Sequence, residues 1–556
     1  MKKTKIICLI MSLLMVFSTF AACSLREGPS DLDDDKSVLN LGVYEDGPGS
    51  YFVDSMIADF EEYYKDKSFE DGKVGVQVVK DNRKDEFGEM TITTTMSYYD
   101  NVLWFVANEQ NDLLSNDLVI DLTDIMTENI YDENGDLAEK TGKPAVSSIV
   151  SNMYQENKDY INVDNHYYSV PWRMYFYGVT YDADLFNTKR LYTLANGTIN
   201  GNAQDVKDGK CTLGPDGKAG TSDDGMPNTW NDFMKLMDAM VTKQVIPFTW
   251  SGLTDYQRRG LFRYIWSNYE GANDYALNFS YSGTDSQFGK IDSSNFTDLL
   301  AQEGRKAAIK VSKDLVSKST YYSSLVNSNT YTSAQEEFAR SVTSSDTKPI
   351  AMLLEGSFWE VESKSVFDDM ANTNETLGYG KRDFRFLPVP NFKGTQGIVD
   401  QVKQDDDRVL DASGAHKSSI CISKKSTAEN YDVQVEIAKL FIQFIHQREQ
   451  LANFSRDTGG CFRPFNFNVT PEELAAWPGV ARSIKKFIDE GATIVTDFPA
   501  SEYRRNNIDR YFEGAWDFRA DIYYDPIAYF MKKPTQTVEQ CFTEAHEKLM
   551  SEWKAS

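Results

Sequence analysis

The sequence predicts an α/β fold divided into two lobes. Strand and helix patterns alternate at the start of the folded body, which implies a parallel sheet with crossover helices. Two extended proline-bearing runs follow, "YYSVPWRMYFYGVTYD" through Pro171 and "DFRFLPVPNF" with Pro388 and Pro390, and they point to a chain that passes between two lobes more than once. The 556 residues, 41% of them hydrophobic, are enough for two or three domains with proper cores.

Ahead of that body stands "MKKTKIICLIMSLLMVFSTFAAC". Lys2, Lys3 and Lys5 give a basic start, Ile6 to Phe17 an apolar run, and small residues precede Cys23, the pattern of a secretion signal over 1–22. The "FAAC" ending resembles the lipobox of bacterial lipoproteins, with Phe20 where leucine is usual. That resemblance implies cleavage before Cys23 and its acylation; the plainer alternative is an ordinary cleaved signal. Residues 23–37, polar and acidic, read as a flexible tether whose "SLREGPSDLDDDKS" would reach about 45–50 Å when extended. Later in the chain there is no run of about twenty apolar residues. Cys211, Cys421, Cys461 and Cys541 match no zinc spacing, and the sequence selects no disulfide pair among them.

The elements of the body can be read in order. "VLNLGVY" is a buried strand, and Phe52, Met56, Phe60 and Tyr64 then share one helical face. "VGVQVVK" is a second strand, a helix lies around "EFGEMTITTT", and "NVLWFVA" is a third strand. Much later "SSICISKKS" reads as a strand, followed by a helix that places Ile437, Leu440, Phe441, Phe444 and Ile445 at helical spacing. Ligands of such sheets collect beyond the carboxyl ends of the strands, where Glu45 and Asp46 follow the first strand and Trp104 lies in the third. A net charge of −26 argues against sequence-independent nucleic-acid binding.

Seven segments carry a family resemblance: "DNVLWF", "VPWRMYFYGVTYD", "PNTWNDFMKLMDAMVTKQVIPFTWSG", "LEGSFWE", "FRFLPVPNFKG", "EIAKLFIQFI" and "RDTGGCFRP". Their order and spacing resemble the extracellular carbohydrate-binding proteins of bacterial ABC transporters, including the maltodextrin-binding type. The resemblance covers nearly the whole mature chain and departs from the family at an insertion around 190–225 and at polar stretches near 280–295 and 319–347. It implies a hinge and an interlobe cleft, with an N-terminal lobe of 38–171 plus 386–447 and a C-terminal lobe of 172–385 plus 448–556. It also implies an oligosaccharide ligand, transporter permease subunits as partners, a monomer, and a place on the outer face of the cell membrane through lipid on Cys23.

Composition supports a sugar independently, since 13% of the residues are aromatic and flat rings cover the C–H faces of a pyranose. The resemblance marks Trp104 and Trp359 as ring-stacking candidates, with Trp172 and Arg173 at the first crossing. Core packing is the plainer account of Trp172, Trp250, Trp266 and Trp516. Glu45, Asp46 and Arg173 are the polar candidates, ahead of Asn108, Glu109 and Arg463.

The insertion contains "DVKDGKCTLGPDGKAGTSDDG", in which Asp205, Asp208, Asp216, Asp223 and Asp224 stand among glycines. Calcium takes six to eight oxygen ligands, and clustered aspartates with exposed carbonyls can supply them. Lys218 and Gly220 break the EF-hand spacing. The stretch resembles a "GPDGxxGTxDDG" insertion associated with calcium in some members of the family, which implies a structural Ca2+; a solvated turn is the alternative. Catalysis is not expected, because no nucleophile elbow or HExxH motif occurs. The rival classes are a surface glycan-binding protein not dedicated to transport and a glycoside hydrolase, the latter needing a pair of carboxylates astride the scissile bond.

Overall fold

The computed structural model describes residues 32–552 except 46, 85–91, 293, 344–345, 401–407, 425 and 499–524. The signal segment, Cys23, most of the tether, Asp46 and Trp516 lie outside the described residues.

Two sheets form the frameworks of two lobes. In the first, Ser37–Glu45 runs parallel to Val76–Lys84 on one side and to Leu103–Val106 on the other, and Ser419–Ile422 adds an antiparallel edge. In the second, the order is Thr493–Thr496, Val409–Ser413, Tyr175–Asp182, Ile350–Gly356 and Ile246–Thr249, with Phe384–Phe386 also paired to Tyr175–Asp182. The long strand Tyr175–Asp182 is antiparallel to each of its neighbours. Both sheets are therefore mixed, with parallel pairs at Ile350–Gly356 beside Ile246–Thr249 and at Val409–Ser413 beside Thr493–Thr496.

The helical faces expected from periodicity form the core of the first lobe. Helix Tyr51–Tyr63 buries Phe52, Met56 and Phe60, and helix Tyr431–Ile445 buries Ile437, Phe441, Phe444 and Ile445. The two faces meet where Phe60 packs edge-on against Phe441 at 4.9 Å and Phe444 at 5.5 Å. Each such buried side chain contributes roughly 1.5–3 kcal/mol relative to exposure.

Three strands of chain connect the lobes side by side. Val170 pairs with Ile420 in the first lobe, while Met174 and Phe462 exchange backbone hydrogen bonds of 2.7 and 2.8 Å. Ser413 pairs with Tyr175 at the entrance to the second sheet. The crossings thus lie near 170–175, 413–419 and 457–466.

These positions correct the lobe boundaries expected from sequence. Residues 386–412 do not belong to the first lobe, because Phe384–Phe386 and Val409–Ser413 are strands of the second sheet. Pro388 and Pro390 sit within that lobe, where Leu387 donates to the Val179 carbonyl at 2.7 Å. In the opposite direction, helix Arg448–Asp457 stays with the first lobe, with Leu451 and Phe454 in the same core cluster as Phe52 and Phe60. The sequence signal, an extended run carrying prolines, marks a bent strand edge as readily as a hinge.

Candidate functional site: the interlobe cleft

Two cavities have walls from both lobes. The larger, about 1020 Å³, takes Glu45, Tyr51 and Asp457 from the first lobe and Glu362, Tyr379 and Lys381 from the second. The smaller, about 280 Å³, reaches from Tyr44 to Tyr177, Tyr256 and Arg259 and is closed by the crossing residues Arg173 and His416. Tyr44 and Glu45 end the central strand of the first sheet, so the cleft lies beyond a strand's carboxyl end, as an α/β sheet requires.

Among the described residues, the six-membered aromatic rings that line the cleft belong to tyrosines. Strand alternation sends Tyr175 and Tyr177 to one face, with Phe176 buried on the other. Tyr175 meets Tyr177 edge-on at 5.4 Å and Phe358 at 5.3 Å, and Tyr177 lies 5.8 Å from Tyr256. This continuous aromatic strip presents apolar faces with phenolic hydroxyls beside them, the surface on which a sugar ring rests.

Behind the strip lies a buried polar cluster. The Gln335 amide donates to Glu355 at 2.8 Å and to Glu362 at 2.6 Å, and Gln257 donates to Glu355 at 3.2 Å. Burial, followed by the charge of Glu362, pushes the Glu355 carboxyl up to about 8. Glu355 is therefore largely protonated at neutral pH.

A second network braces the other end. Arg263 donates to Asp411 at 2.9 Å and approaches Asp497 at 3.5 Å; His416 Nδ1 bonds Asp497 at 2.9 Å. Burial opposes ionisation of Asp497, yet His416 and Arg263 outweigh it and hold the carboxyl down at about 2. The network ties the crossing segment at His416 to the second lobe.

The sequence-derived candidates divide sharply. Arg173 lines the smaller cavity, its guanidinium 4.6 Å from the Trp172 ring, and Glu45 lines the larger. Among the described residues, Trp104, Trp172 and Trp359 do not line either cavity. Trp104 is 0% exposed and crosses over Gly42 on the neighbouring strand, where an added Cβ would fall 2.4 Å from its ring. Trp172 stacks on Phe52 at 5.5 Å and donates to the Val106 carbonyl at 3.1 Å. Trp359 is packed among Phe338, Phe367 and Phe384. Trp250 and Trp266 are core residues as well. Arg463 is fully buried, donating to the Ile445 carbonyl at 2.9 Å. Asn108 and Glu109 lie at the end of the third strand, where the Asn108 carbonyl accepts from Ser419. The signal that finds Tyr175 and Tyr177 is the two-residue alternation in "MYFYG", which leaves one face half covered.

The acidic insertion sits away from the cleft. Asp216 and Asp223 face the Arg408 guanidinium at 3.2 and 3.0 Å, and the same side chain reaches Glu490 at 3.1 Å. Asp205 pairs with Arg190 at 3.1 Å and Asp208 with Lys210 at 2.7 Å, while Asp224 accepts from the Gly220 backbone at 2.7 Å. Among the described residues no three acidic, histidine or cysteine side chains converge in a metal-holding group. The five aspartates are not gathered on one point: Arg408 lies between Asp216 and Asp223, while Asp205 and Asp208 face Arg190 and Lys210. Arg408 lies almost two hundred residues beyond the loop, a separation at which no local pattern reveals the pairing.

No helix among the described residues is long and apolar enough to cross a membrane. In overall fold the chain is similar to a chitin oligosaccharide binding protein, at 13% identity and a TM-score of 0.51 over 93% of this chain and 99% of that one. It is similar also to the bacterial solute receptor AcbH, described by its preference for β-D-galactopyranose, at 14% identity and a TM-score of 0.50 over 93% and 100% of the two chains. Maltose-bound MalE3 of T. maritima gives 12% identity and a TM-score of 0.50 over 93% and 99%. No curated protein sequence matches the chain. Residues 55–482 match the family described as bacterial extracellular solute-binding protein. With two lobes, a shared cleft and a family match over most of its length, the chain belongs to the bacterial extracellular solute-binding proteins and is a binding protein, not an enzyme.

Proposed function

We propose that this protein captures an oligosaccharide in the interlobe cleft and presents it to the permease subunits of a bacterial ABC transporter, while lipid on Cys23 holds it at the outer face of the cell membrane. The observation that carries the reading is the aromatic strip Tyr175, Tyr177 and Tyr256, which lines a cavity with walls from both lobes and is backed by Phe358 against Tyr175. A ligand that touches both walls stabilises the closed state by the contacts it makes only there. Sugar ligands named for the similar structures, chitin oligosaccharide, β-D-galactopyranose and maltose, support the class. Glu45 and Arg173 serve in this reading as polar contacts for the ligand. A monomer suffices, since both walls of the cleft come from one chain.

Calorimetric titration of the purified chain against an oligosaccharide panel, with chromatography of the recovered ligand, tests the reading. Saturable binding with the sugar returned intact supports it; absence of binding across the panel, or release of shorter products, contradicts it. Palmitate labelling that is lost in Cys23→Ala tests the anchor separately.

A further inference from the structure

We propose that the larger cavity holds further units of the saccharide, so that the site is built for a chain of three or more sugar rings, and that Tyr51 is the side chain that reads this length. The inference rests on the saccharide reading above and narrows its ligand class.

It begins with size. Small-molecule sites enclose roughly 300–1,000 Å³. The cavity beside the tyrosine strip, about 280 Å³, stands at the lower end of that range, and the larger cavity, about 1020 Å³, at the upper end. A ligand confined to the strip would leave most of the cleft to water. The two cavities come within one residue of each other: Tyr44 lines the smaller, and Glu45, next along the same strand and about 3.8 Å away at Cα, lines the larger. Phe358 of the second lobe touches both sides of that boundary, its ring 5.3 Å from Tyr175 of the smaller cavity and close against Gly47 of the larger.

The larger cavity carries an aromatic ring from each lobe. Tyr51 opens the helix Tyr51–Tyr63 of the first lobe and is 80% exposed. Tyr379 of the second lobe is half-buried, its ring 6.3 Å from Phe367. A tyrosine exposed on open surface needs no explanation, but one on the wall of a two-lobed cavity offers its apolar face to whatever enters, as the strip does. Because so little of Tyr51 is covered in the unliganded fold, the area it can bury is reserved for a ligand.

Hydroxyl groups of a sugar chain also need acceptors, and the same cavity holds one in a fixed position. Glu362 lines it, and behind Glu362 stands Gln335, 0% exposed. The Gln335 amide donates to Glu362 Oε2 at 2.6 Å and to Glu355 Oε1 at 2.8 Å, and its own oxygen accepts from Ser363 at 2.6 Å. With both protons and the oxygen engaged, the amide cannot turn without breaking buried bonds. Gln335 is thus a positioning residue that holds the Glu362 carboxylate at the cavity wall. The other oxygen, Oε1, lies toward the first lobe, 2.9 Å from where a Cβ on Gly47 would fall. A hydroxyl donating to Glu362 would therefore sit where the two lobes meet.

The test is calorimetric titration of the full chain with the dimer, trimer, tetramer and pentamer of four neutral series: malto-, cello-, xylo- and chito-oligosaccharides. In a series that binds, the tetramer is expected to bind about tenfold more tightly than the dimer, or better. Tyr51→Ala, with an unchanged melting temperature, should weaken the tetramer at least fivefold and the dimer no more than about twofold, while Tyr51→Phe keeps the preference. Glu362→Gln should likewise weaken the tetramer more than the dimer. Dimer and tetramer binding alike, or a Tyr51→Ala variant that weakens both equally, overturns the inference and leaves the saccharide reading standing. Failure of all four series and of the wider oligosaccharide panel overturns both.

Discussion

Gly47 of the first lobe lies against Phe358 of the second so closely that a Cβ at position 47 would fall 2.6 Å from the phenylalanine ring. Phe358 belongs by sequence to the second lobe but packs against the hydrophobic core of the first. The approach of the lobes at this point therefore depends on the missing side chain. Gly47→Ala should wedge the cleft, at a cost on the order of 1–3 kcal/mol for overpacking, and weaken ligand binding roughly tenfold or more. The melting temperature of the unliganded protein should change little, since the lobes can part slightly. Calorimetry and thermal melts on the same preparation check both halves of the prediction.

Rings in the cleft and rings in the core should separate by what they affect. Tyr177→Ala removes a half-buried ring of the strip and should lower affinity by about 1–3 kcal/mol with a smaller loss of stability. Trp104→Ala empties a fully buried site above Gly42 and should lower stability by about 3–5 kcal/mol. Urea melts and titrations of the two variants form the comparison; a Trp104 variant that folds normally and loses only sugar binding would return that ring to the cleft.

How much of this was legible in sequence follows from the same residues. The helical face of Phe52, Met56 and Phe60 was readable because a period near four leaves one interpretation, and all three are buried. Trp104 was not, because a strand residue's face depends on its neighbours, and Gly42 opposite it is sixty-two positions earlier. The parallel order of Ser37–Glu45, Val76–Lys84 and Leu103–Val106 followed from their alternation with helices. The sheet of the second lobe did not, because Tyr175–Asp182 is antiparallel to neighbours drawn from as far along as Val409–Ser413. Arg173 stands in the first crossing and lines the smaller cavity.

Glu355 gives the stability of the protein a definite pH dependence. Its carboxyl is pushed up to about 8, by burial first and Glu362 second, from an unfolded value near 4.5. A raised carboxyl pKa stabilises the fold fully below the unfolded value; that contribution falls as pH rises from 4.5 and is gone above about 8. For a fully buried group with this shift the change is on the order of 5 kcal/mol. Glu355→Gln should flatten the decline, so urea melts at pH 5, 7 and 9 should show the gap between variant and parent moving in the variant's favour as pH rises. A constant gap would contradict the placement.

At the acidic insertion the structure makes Arg408 the central cation. Arg408→Gln leaves Asp223 buried without its partner and should destabilise the protein by about 3 kcal/mol. Chelation should leave the melting temperature of the parent protein unchanged. A fall in melting temperature on adding chelator, restored by calcium, would mean that the loop adopts a metal-bound arrangement and would revive the calcium expectation.

The central claim is that the ligand is held between the lobes against the tyrosine strip. Hydrogen exchange measured on the full chain, with and without an oligosaccharide that calorimetry shows to bind, tests it most directly. Slower exchange is expected together in peptides covering 43–51 of the first lobe and 173–178, 256–263 and 356–362 of the crossing and second lobe. Protection confined to one lobe, or centred on the acidic insertion at 205–224, would contradict it.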